Sequence, residues 1–429
     1  MEKLPKKVLI ITYYWPPAGG PGVQRWLKFA KYLPEFDIEP IIYTPENPSY
    51  PLLDESLVDE VSDDLTVVRT QIWEPYQWAN FFNSKSKAYH AGHFEQKKAQ
   101  SWATKISVFI RGNFFIPDAR KFWIQPSVRF LTQYLKENQI ETIITTGPPH
   151  SLHWIGLQLK QKNPALKWLA DFRDPWTQIS YHKELRLTQW AQKKHLSLEK
   201  KVLTHADLVL ATSFSDAENY RQLGAKKVET ITNGFESEDF QFEKSRNEQF
   251  LLIYSGGLEI ARNPLLVWQA LAELRKENPS FAQDLFLHFY GRLSEEVLQS
   301  LEANQLMDCV QDFGYVSHKT SIEGVSKADL LLLTNFPNEA SKGIIPGKLF
   351  EYMATENPIL AIGPSGGDVE KILLETQAGQ YFTPNQIQEV KKYILETYQN
   401  WQAGKTASQT KLYKKYDRKA LTEQLAQWL

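Results

Sequence analysis

Two successive blocks of this sequence alternate short apolar runs with amphipathic helix patterns. That alternation leaves little choice beyond parallel sheets covered by helices on both faces. The first block runs through "KVLIITYY", "EPIIYTP", "LTVVRT", "ETIITTG", "KWLADF", "DLVLATS" and the shorter "VETITN". The second restarts with "FLLIYSGG" and continues through "LFLHFYG", "CVQDFG", "DLLLLTN", "NPILAIG" and "GQYFTP". Between strands lie helix patterns such as "GVQRWLKFAKYL", where Val23, Trp26, Leu27, Ala30 and Leu33 recur at helical spacing. At 429 residues the chain exceeds one ordinary core, so two doubly wound α/β domains are the simplest architecture. The polar stretch "FESEDFQFEKSRNEQ" reads as the linker between them. The expected division is a first domain over 1–235 and a second over 236–410. A terminal helix over about 411–429 is expected to pack back on the first domain. Ligands of such sheets sit at the carboxyl ends of the strands, which directs attention to the loops there.

Charge and cysteine usage remove several classes of function. A net charge of −1 gives no overall field to draw nucleic acid, so an anion must be held by a local cluster. The single cysteine, Cys309, excludes an internal disulfide framework and fits a reducing cytosol. It falls in an apolar strand pattern and reads as a core thiol. The apolar run near the start, "VLIITYYWPP", stops well short of the ~20 residues a membrane span needs, and reads as a buried first strand. One region interrupts the alternation. From about Ile72 to Gln125 the chain interleaves aromatics and bases, as in "SWATKISVFIRGNFFIPDARKFWIQP". An insertion of this length carries either buried packing helices or a surface facing lipid or acceptor, and the two readings can coexist.

The chemistry-bearing stretches fall at strand ends. "YYWPPAGGPGVQRW" joins the first strand to a helix, where Gly19 and Gly20 would let a phosphate or sugar approach the main chain. It is not G-x-G-x-x-G and no acidic ribose partner ends the second strand, which disfavours a nicotinamide dinucleotide. "LLIYSGGLEIARNP" repeats the arrangement, with Gly256, Gly257 and then Arg262, a guanidinium suited to a diphosphate. In "IPGKLFEYMATENPILAIG", Lys348 and Glu351 stand one turn apart at the start of a helix whose neighbours are apolar. A surface Lys–Glu pair is the ordinary explanation. Charges among Leu349, Phe350, Tyr352 and Met353 need partners, and a phosphate for the lysine with a vicinal diol for the glutamate would supply them. In "TTGPPHSLHW", His150 opens a helix within reach of a substrate hydroxyl, while His153 lies a turn further and reads as packed. In "ADFRDPW", Asp171, Arg173 and Asp174 cluster beyond a buried strand, as a structural clasp or as partners of a polar substrate. No His/Cys/Asp grouping has metal-ligand spacing, and neither a nucleophile elbow nor a Walker loop is present.

These stretches, in this order, resemble the GT-B-fold retaining glycosyltransferases of family four, the group that includes bacterial cell-surface sugar transferases. The match runs through "YYWPPAGGPGVQRW", "GPPHS", "ADFRDPW", "TNGFE", "YSGGLE", "FGYVSHKTSIEGVSKADLLLL" and, most specifically, "PGKLFEYMA". The resemblance implies two Rossmann-like domains facing across a cleft, with the nucleotide sugar bound mainly by the second. Glu351 would bind the ribose hydroxyls; Arg262 and Lys348 would bind the diphosphate, with Gly256 and Gly257 close by. Tyr315 and Val316 would flank the base. Gly19 and Gly20 would approach the donor phosphate and the acceptor, His150 would touch the transferred sugar, and Asp174 would serve the acceptor side with Arg173 and Trp176. Gly343 stands where the family commonly carries the first of two glutamates, and Gly256-Gly257 where it commonly has Gly-Arg.

The implied activity is metal-independent transfer, with retention and without a cofactor, from a UDP- or GDP-sugar to a glycan or lipid-linked acceptor in surface polysaccharide synthesis. The expected setting is the cytoplasm, with peripheral contact at the inner membrane. Two alternatives stay open: a UDP-sugar epimerase of the same fold, and a non-catalytic sugar-nucleotide-binding subunit.

Overall fold

A computed structural model describes residues 5–74, 102–178, 185–242, 246–405 and 411–429. Every apolar run named above forms a strand. In chain order the first block gives β1 (Lys6–Ile11), α1 (Pro21–Tyr32), β2 (Ile38–Pro45), β3 (Thr66–Thr70), α2 (Trp102–Phe114), α3 (Ile124–Glu137), β4 (Thr142–Gly147) and α4 (Ser151–Lys162). It continues with β5 (Lys167–Phe172), α5 (Gln189–His205), β6 (Leu208–Ala211), α6 (Phe214–Gln222) and β7 (Val228–Thr230). The second block gives β8 (Phe250–Ser255), α7 (Leu265–Glu277), α8 (Pro279–Asp284), β9 (Leu285–Tyr290), α9 (Glu295–Ala303), β10 (Val310–Asp312) and α10 (His318–Ser326). It ends with β11 (Leu330–Thr334), α11 (Gly347–Ala354), β12 (Ile359–Ile362), α12 (Asp368–Thr376), β13 (Gly379–Phe382), α13 (Ile387–Gln402) and α14 (Arg418–Ala426). The chain divides into two compact units, Met1–Thr232 with Thr422–Leu429, and Asn233–Leu421.

Each unit is built on one parallel sheet. The orders are β3-β2-β1-β4-β5-β6-β7 and β10-β9-β8-β11-β12-β13. Central strands are buried on both faces, which is why they read as unbroken apolar runs: every residue of β4, β8, β11 and β12 is buried. The edges β3 and β10 carry exposed residues instead, which blunts them against pairing with another chain. Leu9, Ile11, Ile143 and Ala170 anchor the first core; Leu252, Leu287, Leu332 and Leu360 anchor the second. Each fully buried Leu or Ile stabilises its unit by about 1.5–3 kcal/mol relative to exposure.

Both orders reverse direction beside their first strand, between β1 and β4 and between β8 and β11. In a doubly wound sheet the connections leave in opposite directions at such a point, and the loops there open a crevice beyond the carboxyl ends of the strands. The loops after β1, β4, β8 and β11 are therefore where polar groups of each unit converge.

Three local expectations need correction. Cys309 lies in a single 3₁₀ turn, Met307–Cys309, ahead of β10 rather than in the strand. Its thiol is buried, and burial pushes it up to about 11, so it stays protonated. The terminal segment is two elements, a 3₁₀ turn Lys411–Tyr416 and α14, because Asp417 breaks the run: its carboxylate accepts from Lys419 N at 2.9 Å and its amide donates to Lys414 O. In the interruption from Ile72 to Gln125, residues 75–101 lie outside those described, and the rest divides between core and surface. Trp123 is buried with its ring 5.0 Å from that of Tyr43 and stacked nearly parallel to it. By contrast α2 exposes Trp102, Ile106, Ile110 and Phe114 along one side.

Candidate functional site

In the second unit the site grows from the end of β8. Gly256 follows that strand at φ +96°, a left-handed conformation that favours glycine, and a Cβ there would lie 2.9 Å from Lys348 Nζ. The lysine comes from α11, which follows β11 across the switch point and starts after Pro346. Buried Leu349, Phe350, Tyr352 and Met353 seat this helix, and the Tyr352 hydroxyl accepts from Ser255 N at 2.8 Å. Lys348 and Glu351 share a helix but not a contact. The Lys348 ammonium donates to Ser255 O and lies 4.0 Å over the Tyr254 ring. Glu351 leans the other way, its Oε1 3.0 Å from His318 Nε2 on α10. The ordinary Lys–Glu pair is not formed.

Arg262 joins from the 3₁₀ turn Ile260–Arg262. It donates to Gly257 O at 2.8 Å and its guanidinium lies 5.3 Å from the Phe336 ring centre. Neither Lys348 nor Arg262 has a carboxylate partner among the described residues; both are held only by carbonyl oxygens and aromatic faces. The electrostatic trace of this shows on Tyr254. Burial raises its phenol, but Lys348 and then Arg262 outweigh burial and bring it below its ordinary value. The end of β8 thus gathers two cations with no carboxylate partner among the described residues. Tyr315 and Val316 lie on the loop between β10 and α10, Tyr315 exposed and Val316 half-buried. The preceding Phe313 stacks on Tyr290 at 4.5 Å. Gly343 is on the loop before α11, beside Lys342, which pairs with Glu339 at 2.7 Å.

The first unit arranges its charges differently. Asp171, at the end of β5, is fully buried and accepts from Arg25 Nη2 at 2.9 Å, Trp26 Nε1 at 2.7 Å and Thr146 Oγ1 at 2.8 Å. Burial raises this carboxyl, but Arg25 and these hydrogen bonds hold it below the usual carboxylate range. The clasp thus exists, but its cation is Arg25 of α1 and not Arg173. Arg173 donates to Gly147 O at 3.3 Å and to Pro148 O, and it fills the space a Cβ on Gly22 would need. Its guanidinium therefore locks the loop after β4 against the start of α1. Asp174 beside it is exposed.

His150 is nearly buried, its ring parallel to Trp176 at 4.6 Å. Trp176, expected on the acceptor side, is only 2% exposed; it backs His150 and donates from Nε1 to His195 Nδ1 at 3.0 Å. His153 is packed, with Nδ1 2.9 Å from Thr145 Oγ1 and its ring 4.2 Å from that of Phe172; burial lowers it to about 3. Gly19 is less open than its sequence implies, because its N–H already donates to Leu52 O at 3.0 Å. Gly20 takes φ +101° at the start of α1 and has nothing near the position of a Cβ.

Sequence reasoning missed four contributors: Tyr254, His318, Arg25 and His195. Only Arg25 left a signal, as a lone charge next to the buried stripe of Val23, Trp26 and Leu27. Among the described residues no group of three His, Cys, Asp or Glu is arranged to hold a metal ion. No described helix is long and apolar enough to cross a membrane.

Two parallel-sheet units of this strand order constitute the GT-B fold. Solved structures bear this out over the whole chain. Sucrose-phosphate synthase from Thermosynechococcus elongatus superposes with a TM-score of 0.61 at 15% identity, covering 99% of this chain and 98% of that one. HepE from Anabaena, solved in complex with UDP-glucose, gives 0.58 at 14% identity over 98% of both chains. A glycosyltransferase from Rickettsia africae gives 0.54 at 14% identity, covering 99% and 94%. Residues 235–420 match the family model described as glycosyl transferases group 1, so the second unit carries that family's domain. No curated protein matches the sequence significantly.

Proposed function

We propose that this chain is a retaining, metal-independent hexosyltransferase. It moves a sugar from a UDP- or GDP-sugar to a glycan or lipid-linked acceptor in cell-surface polysaccharide synthesis. The observation that carries the reading is the pair of cations at the end of β8, Lys348 and Arg262, which lack any carboxylate partner among the described residues. A diphosphate would supply what they lack, and its ribose would reach Glu351 one turn along α11. In transfer the sugar's anomeric C–O bond to the donor phosphate breaks and a new one forms to the acceptor hydroxyl. The acceptor's proton passes to the departing phosphate on the same face, which accounts for retention. Charge accumulates on the diphosphate as the bond breaks, and Lys348, Arg262 and the N-terminal end of α11 meet it with groups already in place. Metal independence belongs to the proposal because side chains supply that charge. In the first unit, His150 is assigned to the transferred sugar and Asp174 to the acceptor, with Arg173 and Trp176 shaping the loops that carry them. Gly19, Gly20, Gly256 and Gly257 provide close main-chain approach, and Tyr315 and Val316 flank the base.

The exposed side of α2 extends the reading to the acceptor. Trp102, Ile106, Ile110 and Phe114 face outward beside exposed Arg111, the mixture that seats a helix at an anionic lipid surface. We assign this side to peripheral contact with the cytoplasmic face of the membrane. Co-sedimentation with phosphatidylglycerol vesicles, lost in Trp102→Ser/Phe114→Ser, checks it.

The main assignment is tested by thermal shift against UDP- and GDP-sugars with the wild type and Glu351→Ala. Protection that disappears in the variant is the expected result; equal protection contradicts it. Conversion of the donor with no acceptor present identifies an epimerase instead.

A further inference from the structure

We propose that His318 is a positioning residue that holds Glu351 ready for a ribose, so that its loss weakens ribonucleotide binding selectively. The inference rests on the reading above, in which Glu351 takes the ribose hydroxyls. Four observations support it. His318 is the first residue of α10, a helix capped by Ser317, whose hydroxyl accepts from Thr320 N at 3.1 Å. That helix is tied to the end of β8 by Ser255 Oγ and Ser321 Oγ, 2.6 Å apart. The end of β8 also anchors α11 through Tyr352, so histidine and glutamate are mounted on the same strand end. His318 Nε2 then lies 3.0 Å from Glu351 Oε1.

Because a carboxylate only accepts, His318 must carry its proton on Nε2, and it donates in both its neutral and charged forms. One oxygen of Glu351 is thereby fixed. The other, Oε2, has no hydrogen-bond partner among the described residues. The Glu351 side chain is 27% exposed, so solvent reaches it. A vicinal diol needs two acceptor directions from one rigid carboxylate, and the histidine leaves Oε2 and a lone pair of Oε1 for it. Without His318 the glutamate side chain is free to sample other rotamers, and binding must first order it.

The experiment is calorimetric titration of the full chain with UDP and with 2′,3′-dideoxy-UDP, or the guanosine pair if GDP binds more tightly. The variants are His318→Ala, His318→Gln and Glu351→Ala. The His318 side chain is 55% exposed, so its replacement leaves the core intact, and melting curves taken in parallel confirm folding. The expected result is an about three- to tenfold loss of UDP affinity in His318→Ala, no change for the dideoxy compound, and recovery in His318→Gln. Equal loss for both nucleotides overturns the inference, since His318 would then act elsewhere. Unchanged UDP affinity in His318→Ala with weakened binding in Glu351→Ala overturns the inference and leaves the ribose assignment standing. Full UDP affinity in Glu351→Ala sinks the ribose assignment itself.

Discussion

Both units gather charge at the carboxyl ends of parallel strands, yet they treat it in opposite ways. At the end of β5 in the first unit, Asp171 and Arg25 are both buried and pair with each other, with Trp26 and Thr146 completing the carboxylate. At the end of β8 in the second, Lys348 and Arg262 have only carbonyls and ring faces. Lys348 and Arg262 are half-buried, and partly desolvated cations without a counterion are ready partners for an anion. The contrast separates a clasp that holds a loop from two cations without a carboxylate partner among the described residues, which we assign to a diphosphate. A charge-rich strand end is not by itself a binding site; the accounting of its partners decides.

That contrast predicts opposite consequences for removing a cation. Arg25→Leu abandons Asp171 in the core and should cost about 3–5 kcal/mol of stability, read as a lower urea midpoint. Lys348→Ala should leave the unfolding free energy from urea titration within about 1 kcal/mol of wild type, yet lower UDP-sugar affinity by about ten- to a hundredfold, from the loss of charge-assisted hydrogen bonds of about 1.5–3 kcal/mol. If the two variants behave alike, the distinction between the units fails.

Acid sensitivity sharpens the same comparison on the side of the first unit. His153 is lowered to about 3 in the folded chain, against about 6.5 for an unfolded histidine. Its contribution is therefore present above about pH 6.5 and lost as pH falls toward 3, with a slope of up to about 1.4 kcal/mol per pH unit. His153→Phe should flatten stability against pH in that window by up to one proton, measured by urea unfolding at a series of pH values. Asp171, held below its ordinary range, adds to the loss at lower pH. The smallest effect is expected from Arg262→Met, a several-fold loss of UDP-sugar affinity, because Lys348 still faces the diphosphate.

Much of this was legible in the sequence, for physical reasons that also mark where reading stops. A strand buried on both faces must be apolar throughout, so β4, β8 and β11 announced themselves, and the restart at "FLLIYSGG" revealed the second sheet. Lys348 and Glu351 stood out because charges flanked by Leu349, Phe350 and Tyr352 demand partners. The partners themselves were not readable. Arg25 reaches Asp171 across 146 positions and His318 reaches Glu351 across 33, through packing that no local pattern records. The enclosure of Trp176 by His150 and His195 was hidden for the same reason, since only the fold brings these rings together. Gly19 likewise looked open until Leu52, from a separate loop, took its amide.

The most direct test is a crystal structure of the chain with UDP bound. The account predicts the diphosphate against Lys348 and Arg262 at the end of β8 and the ribose hydroxyls on Glu351. A nucleotide bound elsewhere, with both cations still held only by their carbonyls, would contradict it.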